Sequence, residues 1–317
     1  MSYVGIDLGG TQLRVTLANG RGDLGPTLRW PTEASGGPEH VISRIVAAVR
    51  DVVGQGGLRP GQVRALGIGM PGPLDPRAGV VFEAANLPGW KDVPLTRILS
   101  RRTGIKSHLQ HDAHAAAFAE FRRGAAKGAS TFVYVTVSTG IGAGMMIEGR
   151  LYNGAGGVAG EVGHIVVQPG GPLCRCGNHG CLEALASGTA IARSAREALQ
   201  AGSDSLLRRV PPPGPTARDV DAAARASDTL ARRLLADAGR ALGVGLGTLI
   251  NLLNPELIVL GGSVMKSGRS LIGPMRESMV ASSWAANRRG LRIVPPRLAQ
   301  DVGLIGAVEW ARFSAKR

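Results

Sequence analysis

Residues 3–18 read YVGIDLGGTQLRVTLA, with β-forming residues on both sides of Gly9-Gly10, and residues 132–147 read FVYVTVSTGIGAGMMI, again strand, glycine turn, strand. Such runs, broken by paired or alternating glycines, are the pattern of a hairpin. Its recurrence makes the two halves of the chain versions of one motif. Outward from the first hairpin, apolar residues at helical spacing from Val41 to Val52 predict a helix over 38–53, and 63–69 returns to a buried strand. A short strand over 105–109 runs into alanine-rich 113–123, which puts His111-Asp112 at a strand-to-helix corner. Beyond the second hairpin come a glycine-rich loop over 153–180 and helices over 182–200 and 228–253. A strand over 257–260 enters Gly261-Gly262, and an amphipathic helix over 302–313 closes the pattern. Pro211-Pro212-Pro213-Gly214-Pro215 reads as an exposed, extended connector inside the second domain.

A length of 317 residues exceeds one ordinary core and fits two domains of about 150 residues with a cleft between them. The expected division is a small α/β lobe over 1–111, joined by the C-terminal helix 303–317, and a larger α/β lobe over 112–302 containing the cysteine-bearing loop. A composition of 44% hydrophobic and 19% charged residues is that of a folded chain. The longest apolar stretches, such as 131–147, are broken by Gly, Ser and Thr and fall short of the roughly 20 residues of a membrane span, so no membrane partner is expected. The chain runs from Met1 straight into a strand without a leader pattern, and the expected location is cytoplasmic. The formal charge of +14 rests on arginines scattered singly and in pairs, with lysine only at 91, 106, 127, 266 and 316. Without aromatic interleaving or a reading module, this argues against a nucleic-acid partner and leaves a basic surface able to steer anionic substrates.

Asp7-Leu8-Gly9-Gly10-Thr11 combines a strand-end carboxylate, two glycines that let backbone N–H groups approach a phosphate, and a hydroxyl able to bond one. Alone, a Gly-Gly hairpin between two strands is most often just a turn. Ser138-Thr139-Gly140-Ile141-Gly142-Ala143-Gly144 repeats the logic with more hydroxyls, and two such turns suit the clamping of one triphosphate. A dinucleotide-binding reading needs a helix after the glycines, whereas 145–147 continues as strand, and no Gly-Lys P-loop occurs. Gly243, Gly245 and Gly247 fall inside a helical pattern and read as sites of close helix packing.

Cys174, Cys176 and Cys181 share one short loop, with His164 ten residues upstream, a tetrahedral zinc set. A disulfide is disfavoured by the odd count and by the strain of bridging one intervening residue. Four protein ligands leave no open coordination position, so this zinc folds the loop rather than catalysing. Glu161 and Glu183 flank the loop, either as solvated charges or as rigidly held hydrogen-bond acceptors for a ligand. Asp112, where a helix begins, suits an N-cap and also a base that takes a hydroxyl proton during phosphoryl transfer, and the two roles are compatible.

Together these residues resemble the ROK family (repressors, open reading frames, kinases), most closely its bacterial glucokinases, over essentially the whole chain. Cys174-Arg175-Cys176-Gly177-Asn178-His179-Gly180-Cys181-Leu182-Glu183 is similar to the family's CxCGxxGCxE, and Gly160-Glu161-Val162-Gly163-His164 to its GExGH. The resemblance implies an actin-like ATPase (ribonuclease H-like) α/β fold, two lobes with a ligand cleft, and ATP-dependent phosphorylation of a hexose. Glucose is the first expectation and N-acetylmannosamine the second, with Mg2+ and a structural Zn2+ as further cofactors. It implies that Asp7, Gly9, Gly10, Thr11, Ser138, Thr139, Gly140 and Gly142 serve the phosphates, that Gly261-Gly262 lies near the adenosine, and that Asp7 orients magnesium through water. Gly72, Asn86, His111, Asp112, Glu161, His164 and Glu183 would line the sugar, with Asp112 as base, in a homodimer or homotetramer. Family glucokinases usually read Asn-Asp-Ala-Asn where this chain has His111-Asp112-Ala113-His114, a departure that bears on which sugar is taken. Some ROK members are sugar-responsive repressors with a helix-turn-helix module ahead of the kinase-like body. Asp7 lies too near the start for such a module to be expected here, and intact Asp7, Asp112 and glycine turns argue against a sugar sensor without catalysis.

Overall fold

Glycine turns at 9–10 and 138–140 each close a hairpin, and each hairpin founds a five-stranded sheet in the computed structural model, which describes residues 1–84 and 86–316. The first part of the chain forms β1 (Ser2–Leu8), β2 (Gln12–Ala18), β3 (Leu24–Pro31), α1 (Gly37–Gln55), β4 (Val63–Met70), β5 (Leu74–Asp75), β6 (Val80–Glu83), β7 (Lys91–Val93), α2 (Leu95–Thr103), β8 (Ser107–His111) and α3 (Asp112–Arg123). There follow β9 (Phe132–Val137), β10 (Ile141–Ile147), β11 (Arg150–Leu151), α4 (Leu182–Ala186), α5 (Gly188–Gln200), α6 (Ala217–Arg225), α7 (Thr229–Leu253), β12 (Leu257–Gly261), α8 (Arg269–Ser282), β13 (Arg292–Val294) and α9 (Val302–Ser314). The two large sheets have the orders β3-β2-β1-β4-β8 and β11-β10-β9-β12-β13. Position for position these are one topology used twice, as the repeated hairpin implies.

The chain divides into two compact units, Met1–Ser130 with Gly144–Gly160 and Pro296–Arg317, and Thr131–Ala143 with Glu161–Pro295. In the first unit β1 runs antiparallel to β2 and parallel to β4, which is parallel to β8. The apolar stripe of α1 (Val41, Ile42, Ile45, Val49, Val52) is buried in one cluster with Val4, Ile6 and Leu8 of β1 and Leu13, Val15 and Leu17 of β2. Buried aliphatic side chains of this kind stabilise by about 1.5–3 kcal/mol each. On β1 and β4, Gly5 and Gly67 leave room for α9, since a Cβ on either would strike Val308 or the Ala307 backbone. The last helix therefore completes the first unit.

In the second unit β12 lies parallel to both β9 and β13. Gly239, Gly243 and Gly247 sit where α7 meets α8, each with backbone or short side chains of 271–282 occupying the space of a Cβ, and Gly245 meets Leu182 of α4, so the glycines expected at 243, 245 and 247 do mark close helix packing, against two different helices. The span 182–200 is two helices rather than the expected one, because Ser187 leaves helical geometry and its side chain accepts the Ala190 N–H to cap α5. Strand β8 is displaced two residues toward the C-terminus of the expected 105–109, which brings its end directly to Asp112. Among the described residues, no helix is long and apolar enough to cross a membrane.

Candidate active site

Three parallel strands of the first unit end side by side, pairing Asp7 of β1 with Gly69 of β4 and Met70 of β4 with His111 of β8. The C-terminal ends of parallel strands are where α/β sheets bind ligands. The Gly9 N–H donates to the Gln12 carbonyl at 2.9 Å and closes the turn after Asp7. A Cβ on Gly10 would lie 2.6 Å from the Asn86 Cβ and 2.7 Å from its carbonyl oxygen, so the glycine lets Asn86 rest on the Gly9-Gly10 turn. Thr11 is exposed at the tip. Gly72 borders His111, whose Cδ2 is 3.1 Å from the position of a Cβ there.

Asp7 is gripped by Arg14, which donates to Oδ2 through Nε at 2.8 Å and through Nη2. The Arg14 Nη1 also donates to the Gln300 carbonyl at 2.7 Å. Burial pushes the Asp7 carboxyl up from its ordinary pKa, the Arg14 guanidinium opposes this, and the Asp112 carboxylate pushes upward too. The two carboxylates thus feel each other. Asp112 opens α3 as its first helical residue, whereas the capping position belongs to His111, which makes no side-chain cap bond. The Asp112 Oδ1 accepts the Ala113 N–H at 2.6 Å, and its side chain is 46% exposed. His111 Nδ1 lies 3.1 Å from Asp112 Oδ1 but outside hydrogen-bond geometry. His114 is fully buried, with Nδ1 2.9 Å from Asn153 Oδ1.

In the second unit the Ser138–Gly140 turn is fastened on several sides. The Ser138 N–H donates to the Gly140 carbonyl at 2.9 Å, the Ser263 N–H to Ser138 Oγ at 3.0 Å, and the Gly188 N–H to the Ser138 carbonyl at 2.7 Å. Glu183 Oε2 accepts the Ile141 N–H at 2.8 Å and fills the space beside Gly140 that a Cβ would need. Helix α5 begins against this turn, and a helix N-terminus adds partial positive charge there. Gly142 is half-buried on β10. Gly261 ends β12 beside Thr136, and Gly262, at φ 100°, lies so close to the Val137 backbone that no Cβ fits.

His164, Cys174, Cys176 and Cys181 converge with all four ligand atoms within 4.8 Å of one another. Cys174 Sγ is 3.5 Å from His164 Nδ1, and Cys176 Sγ is 3.6 Å from Cys181 Sγ. Ligand distances of about 2.3 Å for sulfur and 2.0–2.1 Å for nitrogen place tetrahedral neighbours about 3.5–3.8 Å apart, so these two separations are compatible with a shared tetrahedral ion, and the Cys176–Cys181 separation is too wide for a disulfide. Burial and the neighbouring sulfurs push the Cys181 thiol up to about 12. A bound cation would reverse that. The other face of the His164 ring looks to Glu161, Nε2 to Oε2 at 3.9 Å, and Glu161 is exposed.

Residues 3–313 match the ROK family. The chain belongs to the ROK family. Over 309 residues this ROK chain is 36% identical to the glucokinase of Thermotoga maritima, covering 97% of this chain and 96% of that protein. The ROK hexokinase structure from Thermus thermophilus matches at a TM-score of 0.82 and 37% identity, covering 100% of this chain and 99% of that one. The ROK glucokinase of Streptomyces griseus, solved in complex with glucose and AMPPNP, matches at 0.83 and 32%, covering 99% and 100%. The paired sheets are accordingly those of the ROK kinases, the actin-like fold implied by the sequence. Two partners in this ROK chain escaped the motif reading. Arg14 is the residue opposite Asp7 in the hairpin register, a place that counting across the turn would have found. Asn153 lies 39 residues from His114, and no local pattern joins them.

Proposed function

We infer that this chain is an ATP-dependent hexose kinase whose sugar is glucose, phosphorylated on its 6-hydroxyl. The observation that carries it is the pair of braced glycine turns, at 9–10 and 138–140, in a ROK chain with an exposed Asp112 carboxylate at the end of β8. Asn86, Gly72, His111 and Asp112 of the first unit and Glu161, His164 and Glu183 of the second are the proposed sugar residues. The 6-hydroxyl gives its proton to Asp112 as its oxygen bonds to the γ-phosphorus of ATP, the bond from that phosphorus to the bridging oxygen breaks, and ADP leaves. Because phosphoryl transfer has a loose transition state, a weak carboxylate base is adequate. The free Oδ2 is the atom proposed to take the proton, since Oδ1 is engaged by the Ala113 N–H.

Backbone N–H groups of the two turns, with Thr11, Ser138 and Thr139, would hold the phosphates, and Gly261-Gly262 would border the adenosine. Asp7 would orient magnesium through water once Arg14 yields, and the ion's chemistry there is to neutralise phosphate charge. Zinc on His164, Cys174, Cys176 and Cys181 would fix the loop between Glu161 and Glu183 and leave His164 Nε2 turned toward Glu161. The test is ADP release from Mg-ATP with glucose, mannose, N-acetylmannosamine, N-acetylglucosamine and fructose. Glucose should give the highest kcat/KM, and another hexose more than about tenfold better would reject the sugar assignment.

A further inference from the structure

His114 is a buried polar side chain to which the kinase reading gives no task. It lies in the first turn of α3, two residues beyond Asp112, and is 1% exposed. Its Nδ1 is hydrogen-bonded to Asn153 Oδ1 at 2.9 Å, the Ala159 backbone approaches the same ring as a hydrogen-bonding group, and Nε2 is buried with no well-aligned hydrogen-bond partner among the described residues. An unpaired buried nitrogen costs stability, and an aliphatic residue would pack there without that penalty. What the imidazole offers in return is its hold on Asn153.

Asn153 and Ala159 are the two ends of a loop that the Ala159 N–H closes by donating to the Asn153 carbonyl at 3.0 Å. Residues 153–160 contain no helix or strand, and Gly154, Gly157 and Gly160 all take left-handed conformations, at φ 72°, 83° and 93°. Such a backbone has little intrinsic preference for one shape. The residue after Gly160 is Glu161. The helix end that holds the loop is firm by comparison. Gly144 of β10 is pressed onto it, with a Cβ there falling 2.7 Å from the Ala117 Cβ and 2.9 Å from the His114 Cα.

We propose that His114, through Asn153, is a positioning residue that holds the 153–160 loop in the conformation presenting Glu161 to the sugar, and so sets sugar affinity without touching the sugar. This rests on Glu161 being a sugar ligand. Losing one such hydrogen bond should weaken glucose about 3- to 10-fold.

The test uses His114→Ala, Asn153→Ala and the double variant in the full chain. Steady-state kinetics with glucose and ATP are run well below each variant's Tm, together with hydrogen exchange of the 153–160 amides. Each single variant should raise the glucose KM about 3- to 10-fold, with kcat and the ATP KM within about twofold of the parent. The double variant should be no worse than either single one, and the loop amides should exchange faster in all three. A lowered Tm with glucose KM and loop exchange unchanged would mean that His114 only packs, and would overturn the proposal. Asn153→Ala keeps the core intact, so an unchanged KM there overturns it even if His114→Ala fails to fold. A parent without hexose-dependent ADP release would instead refute the kinase assignment, and faster loop exchange in the variants would show separately that the tether exists.

Discussion

His114 links burial to stability in a way that pH can read. Burial, aided by nearby His111, lowers its pKa from 6.5 to about 4. A depressed histidine value means that the unfolded chain holds the proton more tightly than the folded one. The stability that His114 contributes is therefore complete above pH 6.5 and is lost as pH falls toward 4. Each tenfold difference in proton affinity is worth about 1.4 kcal/mol, so full titration removes about 3 kcal/mol, of which about 2 kcal/mol has gone by pH 5. For a unit of this size, 2 kcal/mol lowers Tm by roughly 4–8 °C. His114→Asn retains a hydrogen-bonding group and cannot take up the proton. Thermal unfolding of parent and variant between pH 7.5 and 5 should show the parent losing roughly 4–8 °C more than the variant, because titrations shared by both, those of the zinc ligands included, cancel. Curves that stay parallel across the range would refute the reasoning that burial holds this imidazole neutral.

Purified without chelator, the protein should contain one zinc per chain by elemental analysis, and Cys181→Ser should lose both the metal and several degrees of Tm; protein free of zinc would end the metal assignment. Asp112→Asn should cut kcat by about 10²- to 10⁴-fold while glucose binding remains measurable by calorimetry, and a rate within about threefold of the parent would assign the proton to another group. Gly10→Ala forces a methyl to within 2.6 Å of the Asn86 Cβ. It should lower kcat/KM for both substrates at little cost in Tm, and unchanged kinetics would show that Asn86 need not rest on the turn.

The hairpins were legible because glycine turns between β-branched runs are a local signal, and the repeat told that there were two. Helices α1, α7 and α9 followed from apolar spacing, and α3 from its alanine content, to within a few residues. Helix α8 was not legible, because Gly273-Pro274 reads as a break, and its apolar residues Leu271, Met275 and Met279 gain meaning only against the glycines of α7. Strands β5 to β7 have two to four residues each, too few for a period to show. At the candidate site the sequence offers residues to consider, while their engagements come only from the fold. The sequence leaves Glu183 either solvated or held, and only the fold brings its Oε2 to the Ile141 N–H. Likewise Cys174, Cys176 and Cys181 advertise a metal through spacing, while the grip of Arg14 on Asp7 depends on strand register.

The central claim is that phosphate passes from ATP to a sugar and nowhere else. It is tested most directly by following ATP, glucose and the enzyme with Mg2+ by 31P NMR, with a parallel sample lacking glucose. ADP and glucose 6-phosphate should appear in equal amounts, and ADP formation should be about 10³-fold or more slower without the sugar. ADP formed at the same rate in both samples, or no sugar phosphate at all, would contradict it.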